Sequence, residues 1–134
     1  MFHAGHSAIE VIAHGLVALL FIGAGAFNLL SEARSRQHAE HFASLGLPFP
    51  WLILGTGYAM QFSGGLMVLF DWHADIGALI LIVFTIAAMF AYHHFWRISE
   101  PMRRNTARLF FLNNCGVLGG LLLIAEPALS AIGL

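Results

Sequence analysis

The sequence has no lysine, one cysteine and few charges of either sign. Of its 134 residues only 10% are Asp, Glu, Lys or Arg, against 59% hydrophobic, whereas soluble domains carry roughly a quarter charged residues. Most of such a surface cannot face water. The lone thiol, Cys115, lies inside an apolar run, so the chain forms no internal disulfide. It also excludes a CxxC redox pair, c-type haem attachment, a cysteine-ligated iron–sulfur cluster and a zinc ribbon, each of which needs two or more thiols. A formal net charge of -1 gives no basis for binding nucleic acid.

What is present is a set of long charge-free runs. Ile76 to Trp96 is 21 residues without an acid or an arginine, and at ~1.5 Å per residue it matches a hydrocarbon core of ~30 Å. Three further runs have similar length, so the spacing predicts an all-α, four-transmembrane-helix bundle. Its spans fall at about 11–30, 51–70, 76–96 and 109–125, and residues 1–134 form one integral membrane domain. Ala24-Gly25-Ala26 has the look of a signal-peptide cleavage site, but no positively charged segment precedes the run, so it is expected to stay as a span. In this first run His14, Ala18, Phe21, Gly25 and Asn28 share one helical face, small residues between two polar ones, as helix packing in lipid favours.

The connection from Ser31 to Pro50 is polar. Its middle fits a short interfacial helix ended by Gly46 and Pro48, and His38 within it is expected to be solvated and functionally silent. The second run carries Gln61 near mid-membrane, where it is expected to hydrogen-bond across the bundle as a structural polar residue. Gly55, Gly57, Gly64 and Gly65 are its close-approach positions. Pro101 blocks continuation of the third helix through the arginine-rich turn. Gly116 and Gly120, at GxxxG spacing on one face with Asn113, mark the last run for close helix packing, and Glu126-Pro127 is expected to end it.

Several phrases resemble the DoxX/DoxD group of small four-helix membrane proteins: Phe42-Ala-Ser-Leu-Gly-Leu-Pro-Phe-Pro50, Gln61-Phe-Ser-Gly-Gly-Leu-Met-Val-Leu69, His94-Phe-Trp96, and Asn113-Asn-Cys-Gly-Val-Leu-Gly-Gly120. The likeness covers most of the chain from about Val11. It implies the four-helix fold and a setting in the bacterial inner membrane. For a role it implies several, since the group includes the membrane subunit of a thiosulfate:quinone oxidoreductase, components linked to redox stress, and more distant relatives that help assemble other membrane proteins. Gln61 stands where members often carry glutamate, and His14 where a basic residue is common.

Two polar groupings follow from depth. At the end bearing the arginines, Asn28, His93, His94, Asn113 and Asn114 reach one level within about a turn, and with Tyr92, Phe95, Trp96 and Phe110 they offer donors and flat apolar walls for a quinone head. Their plain alternative is interhelical hydrogen-bonding. At the opposite end His3, His6, Glu10 and His14 recur at helical spacing beside Asp71, His73, Asp75 and Glu126. Imidazole with carboxylate can hold a transition metal, which makes His6, Glu10 and His14 the candidate metal ligands. Here the plain alternative is a solvated N-terminus in which Glu10 and His14 bond to each other. A haem bridging His14 and His93 is not expected, since the two lie at depths ~20 Å apart.

The reading is therefore an accessory or quinone-contacting subunit of a membrane redox complex. The alternatives are a non-catalytic assembly or packing factor and an outward-facing metal-binding protein. Lipid, other membrane or redox subunits and further copies of the chain are the expected partners. All six arginines, at positions 34, 36, 97, 103, 104 and 108, fall in the first and third connections, so both termini are expected to face the periplasm. A reporter fused after Leu134 should read as periplasmic and one inserted near Ser99 as cytoplasmic; the reverse pattern would invert the topology.

Overall fold

The computed structural model describes residues 5–134. Among them are five α-helices and no strand: α1 Ala8–Leu29, α2 Glu32–Ser44, α3 Pro50–Leu69, α4 Ala74–Tyr92 and α5 Pro101–Ala131, with a 3-10 turn at Phe95–Arg97 between the last two. The chain is all-α, and α1, α3, α4 and α5 are long and apolar enough to cross a membrane. Leu16, Leu19, Val83, Phe90 and Leu123 are exposed along them, which suits a surface facing lipid. Trp51, Trp72 and Trp96 are exposed at helix ends, where an indole sits at the headgroup level.

The polar connection forms α2, as its composition predicts. Ser31 caps its start, accepting from the Arg34 amide. Gly46 ends it at φ +78°, with Leu47 N–H donating to Phe42 O and Gly46 N–H to Ala43 O, a closure in which glycine takes the left-handed position. The Arg34 guanidinium donates twice to Phe27 O at 3.0 and 2.7 Å, using a carbonyl that the end of α1 leaves free. This folds α2 back across the arginine-bearing end of the bundle.

Three boundaries differ from the sequence expectation. α4 ends at Tyr92 rather than Trp96, and the chain turns so that Phe95 and Trp96 pack edge-on against Phe111. α5 begins at Pro101, not near 109, because proline is tolerated in the first turn and Glu100 caps it, accepting from the Met102 and Arg103 amides. It also runs through Pro127 to Ala131, since proline removes a single helix bond and the neighbouring turns carry on.

One cluster of buried apolar side chains lies in the half of the bundle away from the arginines. Phe21 of α1, Val68 of α3, Ala78 and Leu81 of α4, and Leu121 and Ala125 of α5 form it. There α3 and α4 meet backbone to backbone: a Cβ on Gly64 would lie 2.9 Å from Gly77 O, and one on Gly77 would lie 3.0 Å from Gly64 O. On another side of α3, a Cβ on Gly65 would meet Ile22 Cγ1 at 2.7 Å. By contrast nothing lies within 4 Å of a Cβ built on Gly116, Gly119 or Gly120. Within this chain the close approach thus belongs to the glycines of α3 and α4, and the GxxxG pair of α5 is uncovered.

Gly64→Ala and Gly77→Ala should each lower stability by about 1–3 kcal/mol, since backbone must move to admit the methyl. Gly116→Ala and Gly120→Ala should be neutral or slightly favourable, because alanine is the better helix former. Thermal unfolding in detergent checks all four, and equal melting of the two pairs would displace the α3–α4 contact as the tight point.

Candidate functional site

The arginine-bearing half buries Leu54 and Met89 but also holds a half-open hollow. A cavity of about 650 Å³ lies between α3 and α4, within the ~300–1,000 Å³ range of small-molecule sites. Leu52, Ile53, Thr56, Gly57 and Met60 line it from α3, and Val83, Phe84, Ala87, Ala88 and Ala91 from α4. Gly57 and the three alanines keep the walls thin. Asn28 of α1, Tyr58 and Gln61 of α3, and Tyr92 and His93 at the end of α4 supply its polar edges, and α2 contributes His38 and Phe42.

The roof is α2, seated by three side-chain hydrogen bonds. Ser35 Oγ and the Tyr58 hydroxyl share one at 2.9 Å, His38 Nδ1 and the Tyr92 hydroxyl share one at 2.7 Å, and His41 Nε2–H donates to Ala91 O at 2.7 Å. Tyr92 is the hub. Its ring stacks on His41 with centroids 4.5 Å apart and 19° between planes, while His38 and Phe42 meet it edge-on. The ring is therefore held on several sides while its hydroxyl bonds to His38. Burial, and then the charge of nearby His41, holds the His38 imidazole below its ordinary pKa, which favours the neutral ring.

The expected polar layer is only partly assembled. Asn28 and His93 border the cavity, whereas His94, Asn113 and Asn114 are not among its lining residues. His93 stacks on Phe110 at 5.2 Å, Asn113 is exposed on α5, and His94 Nδ1 is buried without a hydrogen-bond partner. Gln61 is buried with its Oε1 3.5 Å from a Cβ built on Gly25. Among the described residues it makes no side-chain hydrogen bond across the bundle; its amide borders the cavity instead. His38 corrects the expectation of a solvated loop residue, and the signal for it was available. Ser35, His38 and Phe42 recur at steps of three and four, one face of an interfacial helix.

At the opposite end the histidines do converge, on Asp71. His6 Nε2 lies 2.7 Å from Asp71 Oδ2, and His14 Nδ1 lies 3.9 Å from Asp71 Oδ1. Asp71 and His73 adopt left-handed backbone at φ +53° and +49° in the tight α3–α4 turn, a conformation that Asp and His enter more readily than most residues. Glu10 does not bond to His14 as expected. It closes a capping box, accepting from Ser7 N–H while its own N–H donates to Ser7 Oγ, and it lies 3.4 Å from His6 Nδ1. His3 lies outside the described residues, and among those described no group of three or more His, Cys, Asp or Glu is arranged to hold a metal ion.

Four apolar spans, an interfacial helix and a ligand-sized, half-open cavity beneath it define a small multi-pass membrane protein. The chain belongs to the DoxX family, whose model matches residues 11–94. That stretch contains every residue lining the cavity and ends before α5. The chain is also similar to the inner membrane protein YqjF of Escherichia coli (strain K12), at 30% identity over 115 residues, covering 86% of this chain and 80% of the relative. No solved structure matches the chain significantly. The protein is an integral component of the bacterial inner membrane.

Tyr92→Phe removes the hydroxyl that holds His38 and leaves the stacked ring in place. Amides of α2 should then exchange with deuterium about fivefold faster, as the loss of roughly 1 kcal/mol implies, while those around Leu81 and Val68 stay protected. Unchanged exchange in α2 would mean that the roof is seated by apolar contact alone.

Proposed function

We propose that the cavity holds a lipid-soluble quinone, and that the protein is an accessory or quinone-contacting subunit of a membrane redox complex. The observation that carries this reading is the chamber between α3 and α4: apolar along its walls, polar at the end under α2, and large enough for a substituted ring with part of its tail. A bound quinone would supply two-electron, two-proton chemistry at its head. The residues that fit the head are Asn28, whose amide both donates and accepts, His93, and the Tyr92–His38 pair. Thr56, Met60, Val83 and Phe84 suit the ring faces and tail. With the arginine end at the cytoplasm, the head would lie on the side from which protons are drawn.

A second reading, a packing factor for other membrane proteins, is favoured by a separate observation. The α5 face carrying Gly116, Gly119 and Gly120 has open space over each glycine, and Asn113 is exposed on the same helix. A client helix could approach closely there.

Titration of the purified protein in nanodiscs with decyl-benzoquinone tests the first reading. His93→Leu and Asn28→Leu should each weaken binding by about 1–3 kcal/mol, the cost of an unmet polar group. Asn113→Leu, away from the cavity, should bind like the parent. If the parent binds no quinone, or all four proteins bind it equally, the chamber is not a quinone site and the packing-factor reading takes its place.

A further inference from the structure

The Tyr92–His38 hydrogen bond joins two cavity-lining residues and can reverse its direction without moving a heavy atom. The distance is 2.7 Å whichever partner donates. With the proton on Nε2, His38 Nδ1 accepts from the Tyr92 hydroxyl, and the phenol oxygen is left to accept from a ligand. With the proton on Nδ1, His38 donates to that oxygen, and the Tyr92 O–H is left to donate to a ligand. Neutral imidazole reaches either arrangement by exchanging tautomers. Both residues line the chamber, and the packing of His41 and Phe42 on the tyrosine ring fixes where its hydroxyl sits.

Resting on the quinone reading, we propose that this pair makes the chamber amphoteric. It accepts a ligand that presents either a carbonyl or a hydroxyl at the same atom, and His38 protonation biases it toward the carbonyl form. The argument is one of proton positions. A protonated His38 carries hydrogen on both nitrogens, so Nδ1 can only donate, and Tyr92 is then committed to donating into the cavity. A hydroxyl-headed ligand loses its acceptor and a carbonyl-headed one keeps its donor. The other titratable groups at this site are His41 from α2, Tyr58 from α3 and His93 from α4, with Asn28 the uncharged neighbour from α1. His41 is committed in another way, since its Nε2–H donates to Ala91 O. It therefore cannot turn over as His38 does without giving up a bond that seats α2.

The sign follows from linkage. Burial and His41 keep His38 neutral at neutral pH, so both ligand forms are held there. As pH falls through the His38 pKa, below the ordinary imidazole value of ~6.5, preference shifts to the carbonyl form. Reciprocally, a bound carbonyl favours the protonated ring and a bound hydroxyl disfavours it.

The test is anaerobic binding of decyl-benzoquinone and its hydroquinone to the full chain in nanodiscs, from pH 8 to pH 5. The ratio of hydroquinone to quinone Kd should rise about fivefold on acidification in the parent, the size of one hydrogen bond. His38→Gln keeps an amide able to donate or accept but not to titrate, so it should bind both forms with a ratio independent of pH. His41→Gln and His93→Gln should retain the pH dependence, whatever their affinity. Hydrogen exchange of α2 verifies that each variant keeps its roof. If both ligands bind but the parent's ratio is flat, or the ratio in His38→Gln still moves with pH, the amphoteric pair is refuted while the quinone site stands. If the parent binds neither ligand, the quinone reading and this inference fall together.

Discussion

The backbone contact between Gly64 and Gly77 is the constraint on which the rest of the bundle depends. Lipid tails are as apolar as leucine, so helices in a bilayer gain little from burying apolar surface against each other and associate through close packing and polar bonds. Two glycines facing across a helix pair, each within about 3 Å of the other's carbonyl oxygen once a Cβ is imagined, give the closest approach that helices allow. Gly65 brings Ile22 of α1 against α3 in the same region. The core residues Val68, Ala78 and Leu81 cluster around this point. Fixing α3 and α4 so tightly at one end leaves their separation at the other to be set by whatever fills the wedge.

What fills it, in part, is polar. Ser35, His38 and His41 each place a hydrogen bond between α2 and the ends of α3 and α4. Such bonds contribute roughly 0.6–2 kcal/mol each in a membrane, enough to seat a helix. The two halves of the molecule are thus held by different forces. One is rigid because its parts touch, the other is ordered because its parts are bonded across a space. A chamber under a roof of this strength can admit a ligand without disturbing the packed half, since local opening draws on the least stable contacts.

The sequence made the spans legible because hydropathy over 20 residues is a strong signal and lipid tolerates little else. It made α2 legible through its polarity and through Gly46 and Pro48 at its end. Gly64 and Gly65 were legible as close-approach positions, but Gly55 and the Gly116-x-x-x-Gly120 pair read alike locally, and only the pairing of helices shows that nothing meets them. The same limit applies to the site. Asn28 and His93 reach the cavity as depth predicts, but depth says nothing of rotation about a helix axis, and rotation turns Asn113 outward. His38 escaped because the helical face it shares with Ser35 and Phe42, though legible, does not say that a tyrosine 54 positions later comes to meet it.

The hollow itself is written in residue size. Gly57, Ala87, Ala88 and Ala91 border it, where leucines would have filled a half-open space of about 650 Å³. Small residues on two adjacent helices ordinarily draw the helices together, as Gly64 and Gly77 do. Here the bulky rings of Tyr92 and Phe42 border the same hollow, with His41 stacked on the tyrosine. The aromatic roof thus supplies the polar edge of the cavity at the end where the helix walls are thinnest.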